Sequence, residues 1–242
     1  MSSLNRFWCV VPAAGVGSRM AAAVPKQYLQ LHGKTVIEHT LSRLSSHPQM
    51  SGVVVAISAG DEHWQQLDLS GYDNIHVADG GAERCHSVLN GLQLLSGFAD
   101  ASDWVLVHDA ARPCIHHDDL SHMIEVLKDH PVGGLLGLPV ADTMKRTSVD
   151  DEVLETVNRE HLWRALTPQM FRLGQLRQAL QTALDDGFLV TDDASAIEHV
   201  GLKPLMIAGR GDNIKITRPE DLSLAEMYLA RMSDQAATEH LD

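Results

Sequence analysis

A glycine-containing loop flanked by cations is the first part of the sequence that could do chemistry. The segment Pro12–Met20 follows an apolar run and contains Gly15 and Gly17, so its backbone could approach a phosphate closely and present N–H groups to it. Arg19 lies inside the segment, and Lys26 follows it within the run Pro-Lys-Gln-Tyr. Two cations beside such a loop suit a triphosphate, whose negative charge must be neutralised before a nucleophile can approach.

Two other phosphate-binding loops fit this segment poorly. A Rossmann dinucleotide loop would have its third glycine where Met20 stands, and about 20 residues later an acidic residue would end the next strand. No such acidic residue follows, and the Walker pattern GxxxxGK[ST] is absent. An NAD-dependent oxidoreductase is therefore disfavoured.

A second glycine pair stands before a predicted helix in the segment Gly80–Leu89. Arg84 and Ser87 are three positions apart there, and residues with this spacing lie on one face of a helix. Glycine is also common at ordinary helix entries. The segment alone therefore fits a plain helix start as well as it fits a binding site.

The segment Val105–Pro113 places polar residues where a strongly apolar strand ends. Asp109 is well placed to hold Mg2+, which favours a carboxylate combined with phosphate oxygens; the alternative is that it caps a helix. Arg112 lies at the same end of this strand. His108 ends a buried strand, where a histidine is more often a hydrogen-bonded structural residue, so we leave it out of the catalytic set.

Near the end of the chain, the segment Gly211–Asp221 is predicted to contain a short strand, Ile214–Thr217, that leads into a helix. Lys215 alternates with Ile214 and Ile216, so it should face away from them. We therefore expect Lys215 to be a polar group on an otherwise buried strand.

The elements that must position these residues alternate between strands and helices. Apolar runs predict strands at Phe7–Val11, Val53–Ile57, Ile75–Val77, Trp104–Val107, Gly134–Val140 and Leu205–Ile207. Helical periodicity predicts helices at Val36–Ser46, Arg84–Leu95, Leu120–Leu127, Leu173–Asp185, Asp193–His199 and from Pro219 onward. Continuous apolar strands alternating with helices indicate an α/β fold, with a mainly parallel sheet covered on both faces. In such sheets ligands bind beyond the carboxyl ends of the strands.

The alternation breaks at residues 142–158. Two polar, β-branched segments flank the acidic turn Val149–Glu152, which predicts a protruding β-hairpin arm. Because an isolated two-stranded ribbon is marginal in water, we expect the arm to pack on another subunit; the alternative is a solvated surface hairpin. Residues 1–242 are otherwise interpreted as a single domain.

Composition excludes several classes of function. Asp and Glu outnumber Lys and Arg by 32 to 19, for a net charge of −13, which disfavours a nucleic-acid partner. The chain has three cysteines, which are far apart and suggest neither a zinc site nor a disulfide framework. No apolar run reaches the roughly 20 residues that span a bilayer. We therefore expect a soluble, cytoplasmic protein.

Seven motifs in order resemble those of the 2-C-methyl-D-erythritol 4-phosphate cytidylyltransferases of the non-mevalonate isoprenoid pathway. The motifs are PAAGVGSRM with PKQY, GGxxRxxSV, VHDAARP, DTMKR, LTPQ, TDDAS and DNIKITRPED, and they cover nearly the whole chain. The resemblance implies a Rossmann-like nucleotidyltransferase fold, a homodimer held by the arm, CTP and a polyol phosphate as substrates, and Mg2+ as cofactor.

The resemblance also implies roles for individual residues. For the nucleotide these are Ala13, Ala14, Gly15, Gly17, Gly81, Ser87 and Ala110. For the polyol phosphate they are Asp109, Arg112, Thr143, Arg159, Thr167 and Thr191, with Thr191 reaching across from the partner subunit. The implied catalytic residues are Arg19, Lys26 and Lys215, and the implied metal ligands are Asp109 and Asp212.

One position departs from the family pattern. Ala82 stands where members often carry aspartate after the two glycines, so cytosine selection would rest on backbone groups and Ser87. Two alternatives stay open besides the oxidoreductase: a ribitol-5-phosphate cytidylyltransferase, and a nucleotide sensor without catalysis. The sensor is disfavoured because it would have no use for the cations Arg112, Arg159 and Lys215.

The implied reaction needs positive charge more than it needs a base. A phosphate monoester has its second pKa near 6, so at neutral pH it is already a competent nucleophile. Its attack on the α-phosphorus of a triphosphate must overcome repulsion between anions. Fixed cations, here Arg19, Lys26 and Lys215, would offset that repulsion and stabilise the five-coordinate transition state.

Overall fold

The computed structural model describes residues 6–15 and 24–239, so Gly17 and Arg19, for which roles were predicted, lie outside the described part of the chain. The strands are β1 (Phe7–Pro12), β2 (Gln30–Leu31), β3 (Lys34–Thr35), β4 (Met50–Ile57), β5 (Ile75–Asp79), β6 (Trp104–Val107), β7 (Gly133–Pro139), β8 (Met144–Thr147), β9 (Val153–Val157), β10 (Trp163–Arg172) and β11 (Leu205–Ala208). Seven of them form the central sheet in the order β11-β7-β10-β6-β1-β4-β5. Only β10 runs antiparallel to its neighbours in that sheet, as far as the described residues extend.

Helices cover both faces of this sheet. They are α1 (Val36–Ser45), α2 (Arg84–Leu95), α3 (His117–Leu127), α4 (Leu173–Asp185), α5 (Asp193–His199) and α6 (Pro219–Glu239). Helices α2, α4 and α5 pack on one face and α1 and α3 on the other. Side chains alternate across β1 as a pleated strand requires: Val10 joins the first core, while Cys9 and Val11 join the second.

Two helices that begin near the carboxyl edge of the sheet have capping boxes. Thr35 accepts a hydrogen bond from the backbone of Glu38, whose side chain returns to the Thr35 backbone. Asp192 and Ser195 make the same reciprocal pair at the start of α5. Each pair satisfies backbone N–H groups that the first helical turn leaves unpaired, so it fixes where its helix begins.

The predicted arm is present. Strands β8 and β9 pair antiparallel as a two-stranded ribbon that is separate from the central sheet. Every residue of β8 is exposed, as are four of the five in β9. The ribbon therefore buries almost nothing within its own chain.

The structure confirms the predicted α/β class and most of the predicted elements, with two corrections. Ile214–Thr217 is not a strand: Ile216 N donates one hydrogen bond to Ala111 O at 2.9 Å, but no ladder forms. The sequence also gave no indication of β10, because Pro168 interrupts its apolar pattern. The register of β10 against β7 shifts between Ala165 and Gln169, which accommodates that proline in a bulge.

Among the described residues, no helix combines the length and apolarity that crossing a membrane requires. The interpretation of residues 1–242 as a single domain stays a prediction.

Candidate active site

Two adjoining clefts open at the carboxyl ends of the central strands. The first has a volume of about 300 Å3 and is lined by Pro12, Ala13, Ala14, Gly15, Lys26, Gln27, Gly81, Ala82, Glu83, Arg84, Ser87, Asp109, Ala110, Ala111 and Lys215. The second, of about 320 Å3, is lined by Arg84, Asp109, Arg112, Ala165, Leu166, Thr167, Gln169, Thr191, Asp192 and Lys215. The two clefts share Arg84, Asp109 and Lys215. Charged side chains therefore mark the boundary where two bound molecules would meet.

The carboxylate of Asp109 is the centre of this boundary. It lies 2.8 Å from Lys215 Nζ, 3.1 Å from Arg84 Nε and 3.3 Å from Arg112 Nε. Burial opposes its ionisation, but the three cations outweigh burial and hold the pKa of this carboxyl well below its usual range. Asp109 is therefore an anion at any physiological pH.

A buried hydrogen-bond network fixes the backbone around Asp109. Thr167 Oγ1 accepts a hydrogen bond from Asp109 N at 3.1 Å and lies 3.0 Å from His108 Nδ1. His108 Nε2 lies 3.1 Å from the carbonyl oxygen of Arg112, which can only accept, so we assign the proton to Nε2. Nδ1 then accepts from the threonine hydroxyl. Burial lowers the pKa of His108 to about 4, consistent with a neutral structural imidazole.

The same network holds the segment that carries Lys215. The side-chain amide of Asn213 donates to Thr167 O at 2.8 Å. The main-chain carbonyl oxygen of Asn213 accepts from Arg112 Nη1 at 2.7 Å. Ile216 is fully buried on the other side of this segment. Lys215 therefore faces the clefts, as the alternation with its apolar neighbours predicts, although the segment is not a strand.

Arg84 joins the start of α2 to the start of α5. Its guanidinium donates to Asp109 Oδ1 at 3.1 Å and to Asp193 Oδ2 at 2.9 Å. Burial raises the pKa of the fully buried Asp193, and Arg84 opposes that shift. Asp193 Oδ1 has no hydrogen-bond partner among the described residues, so Asp193 depends on Arg84 for its counter-charge.

The structure brings most of the predicted site residues together. All the predicted nucleotide residues that it describes line the first cleft, and so does Lys26, whose Nζ donates to Ile216 O at 3.0 Å. Ser87 Oγ accepts from Gly81 N at 3.0 Å, which fixes these two groups relative to each other. Arg112, Thr167 and Thr191 line the second cleft.

Thr191 lines the second cleft of its own chain. The resemblance implied that it reaches across from a partner subunit, and that contact stays a prediction. The short connection between α4 and α5 brings Thr191 to the second cleft, directly before the capping residue Asp192. No second copy is needed to place Thr191 in this cleft.

Three other predicted residues lie away from both clefts. Thr143 and Arg159 are exposed near the base of the arm, where Arg159 Nη1 donates to Ala141 O. Asp212 lies 3.0 Å from His116 Nε2 and lines neither cleft. The structure therefore does not place Asp212 beside Asp109 as a second metal ligand.

Sequence reasoning did not assign Arg84 and Gln169 to the site. Gln169 Oε1 accepts from Ala194 N at 2.8 Å and its Nε2 donates to Asp192 Oδ2 at 2.9 Å, so it anchors the start of α5. The signal for Arg84 was its position on the same helical face as Ser87. The role of Arg84 depends on its contact with Asp193, which is 109 positions away in the sequence.

Comparison with known proteins decides the family. A family model described as 2-C-methyl-D-erythritol 4-phosphate cytidylyltransferase matches residues 7–231. The chain belongs to this family. The curated enzyme of that name from Vibrio vulnificus is 51% identical over 233 residues, covering 96% of this chain and 98% of the relative. The one from Pseudomonas aeruginosa is 54% identical over 222 residues, covering 91% and 95%.

Solved structures of cytidylyltransferases agree. The crystal structure of the 2-C-methyl-D-erythritol 4-phosphate cytidylyltransferase from Francisella tularensis matches with a TM-score of 0.81 and 35% identity, covering 93% of this chain and all of that one. The protein is therefore a nucleotidyltransferase enzyme with the Rossmann-like fold of the cytidylyltransferases. The family names do not favour the ribitol phosphate, oxidoreductase or sensor alternatives.

The Arg84–Asp193 pair predicts a strong energetic coupling in this cytidylyltransferase. Arg84→Gln should lower the free energy of unfolding by about 3–5 kcal/mol, because it leaves a buried carboxylate without its counter-charge. Asp193→Asn in the same chain should restore part of that loss, giving a coupling of at least about 1 kcal/mol. Urea denaturation of the wild type, both single variants and the double variant measures it. Additive effects of the two substitutions would show that the pair is not coupled.

His108 predicts a specific loss of stability in acid. Its folded pKa of about 4 lies below the ordinary value of 6.5, so the unfolded chain takes up this proton first as the pH falls. Above about pH 6.5 neutral His108 therefore contributes its full share of stability. The free energy of unfolding falls by on the order of 3 kcal/mol as the pH approaches 4. Urea midpoints across this range measure the loss. His108→Gln should lack this part of the pH dependence, whereas the exposed control His122→Gln should retain it; identical profiles would contradict the assignment.

Proposed function

We propose that this chain transfers the cytidylyl group of CTP to 2-C-methyl-D-erythritol 4-phosphate. The products would be 4-diphosphocytidyl-2-C-methyl-D-erythritol and pyrophosphate, in the cytoplasmic synthesis of isoprenoid precursors. The observation that carries the proposal is the pair of clefts that meet at Asp109, Lys215 and Arg84. CTP would occupy the first cleft and the polyol phosphate the second, so that the reacting phosphates meet at their shared boundary.

Cytosine would be recognised in the first cleft by the Gly81 and Ser87 region. Ser87 is buried and its hydroxyl is already bonded to the backbone of Gly81 and Glu83, at 3.0 and 3.2 Å. These groups are therefore preorganised, whereas Ala82 offers no polar side chain. Selection of CTP over UTP would then depend on main-chain groups and one hydroxyl.

Magnesium fits the donor chemistry at the boundary. Mg2+ in nucleotide enzymes is commonly held by one or two carboxylates together with substrate phosphates. Asp109 supplies an ionised carboxylate whose Oδ1 has one partner among the described residues, Arg84, and an ionised carboxylate oxygen accepts more than one contact. Asp109 would hold the ion, which would neutralise charge on the triphosphate.

The chain's own cations would then do the electrostatic work. Lys26 lines the first cleft and would bind the triphosphate, stabilising charge as pyrophosphate leaves. Lys215 and Arg112 line the second cleft and would hold the attacking phosphate monoester. No general base is required, because that monoester is largely dianionic at neutral pH. This accounts for a site in which the buried imidazole of His108 has a structural role and does not act as a base.

The arm supports a homodimer. Large apolar side chains are exposed on it and at its base: Met144, Val149, Val153, Leu154, Leu162 and Trp163. Such a surface on a two-stranded ribbon calls for a covering partner. Thr143 and Arg159 lie outside the clefts of their own chain, so in a dimer they would reach the second cleft of the partner.

The substrate panel tests the reaction. Pyrophosphate release is measured with CTP, UTP, ATP and GTP, each against 2-C-methyl-D-erythritol 4-phosphate and ribitol 5-phosphate. We expect CTP with the methylerythritol phosphate to give the highest kcat/KM, with Mg2+ required. Preference for ribitol 5-phosphate, or turnover that is independent of the nucleotide base, would overturn the proposal.

Lys26→Ala should fold normally and lose at least roughly a hundredfold in kcat, since one preorganised donor typically stabilises the transition state by about 3 kcal/mol. The matched control is Lys34→Ala, an exposed lysine in β3 that lines neither cleft. Steady-state kinetics measure both variants. Wild-type turnover in Lys26→Ala would remove this residue from the mechanism.

Arg159→Ala should chiefly raise the KM for the polyol phosphate and hardly change CTP binding, because it removes a contact to the substrate phosphate in both ground and transition states. Calorimetric titration with CTP and steady-state kinetics measure the two effects. A tenfold loss of CTP binding with the polyol phosphate KM unchanged would contradict the assignment.

Mixing the Arg159→Ala and Lys26→Ala variants distinguishes the two possible origins of Arg159. If it acts on the partner's cleft, each mixed dimer has one intact site, so random subunit exchange should restore about a quarter of the wild-type sites. If it acts within its own chain, mixing restores nothing. Recovery of activity also requires a dimer, and a measurement of the molecular mass in solution tests for the dimer independently.

A further inference from the structure

Three side chains at the start of α2 lie close enough together to share a metal ion. Glu83, Cys85 and His86 each offer one ligand atom, and the three atoms lie within 4.8 Å of one another. They are the only such group of three among the residues that the structure describes. Their side chains have no part in the reaction proposed above, although Glu83 lines the first cleft and its main-chain carbonyl accepts from Ser87 Oγ.

Two of the three separations are close to those of tetrahedral coordination. Zinc bonds of 2.3 Å to sulfur and about 2.1 Å to nitrogen or oxygen place neighbouring ligand atoms about 3.6 Å apart. Cys85 Sγ lies 3.7 Å from Glu83 Oε2 and 4.0 Å from His86 Nδ1. Small side-chain movements would therefore bring all three atoms to bonding distance of one ion.

We infer that Glu83, Cys85 and His86 form a binding site for Zn2+ or a similar borderline-soft divalent cation at the rim of the first cleft. A donor set of one sulfur, one nitrogen and one oxygen favours such a cation over Mg2+, which prefers oxygen ligands. Binding of the ion displaces the thiol proton of Cys85, and that proton is released to solvent. Three protein ligands leave a fourth position for water.

The protein backbone prepares this arrangement. Cys85 and His86 lie in the first turn of a regular helix, and Glu83 precedes it, so their spacing is fixed by the helix start. A Cβ atom at position 81 would lie 2.3 Å from His86 Cβ, so only glycine there leaves His86 its place. Glu83 is exposed and His86 partly exposed, which gives the ion a path to the buried thiol.

The site is separate from the implied magnesium position. Asp109 is not a member of the cluster, and the inference does not depend on the proposed reaction. The partial positive charge of the helix N-terminus opposes a cation weakly, whereas the carboxylate and the metal-bound thiolate supply two negative charges.

Co2+ titration of the metal-free full-length protein tests the inference, because a cobalt-bound thiolate has a charge-transfer absorption band. We expect the band to saturate at one equivalent, to be removed by Zn2+ and to survive excess Mg2+. Cys85→Ser should abolish the band. His86→Gln should weaken binding at least about a hundredfold, beyond the usual effect of losing an outer-shell partner.

The matched controls are Cys114→Ser, a buried thiol outside the cluster, and the exposed His122→Gln; both should bind Co2+ as the wild type does. If Cys85→Ser does not fold, as judged by circular dichroism, the partly exposed His86→Gln carries the test. Absence of the band in the wild type, its persistence in Cys85→Ser, wild-type affinity in His86→Gln, or displacement by Mg2+ would each overturn the inference.

Discussion

The ionised carboxylate of Asp109 is the constraint around which the site is organised. A buried carboxylate is costly unless cations and hydrogen bonds compensate it. Here three cations do so, and they come from three parts of the chain: Arg84 from α2, Arg112 from the loop after β6, and Lys215 from the segment before α6. Each of these segments is therefore held at the carboxyl edge of the sheet by the same charge.

This arrangement also explains how two clefts can act as one site. Of the three side chains that neutralise Asp109, Arg84 and Lys215 line both clefts and Arg112 lines the second, so ligands that bring phosphates and a metal ion would compete for the same charges. If a metal ion bound Asp109 and displaced one of these Arg or Lys side chains, that side chain would have to move only a short distance to contact a phosphate. Preorganised charge of this kind acts most strongly where water is excluded.

Rigidity around the boundary comes from neutral groups. His108, Thr167 and Asn213 are buried and bonded to one another or to neighbouring backbone, and they link the loop after β6 to the bulge in β10 and to the Lys215 segment. The bulge at Pro168 lies next to Thr167, where a regular strand would have continued its ladder. The irregular part of β10 is thus the part that serves the site, as is common for bulges.

The sequence by itself determined the order and type of most elements, because long apolar runs and helical periods are local signals. It also marked Lys26, which follows a glycine-containing loop, Asp109, which follows an apolar strand, and Lys215, which alternates with apolar neighbours. It did not determine β10, where a proline masks the strand, nor the pairing of Arg84 with Asp193. Strand β10 and the Arg84–Asp193 pair depend on contacts between residues far apart in the sequence, and only the tertiary structure decided them.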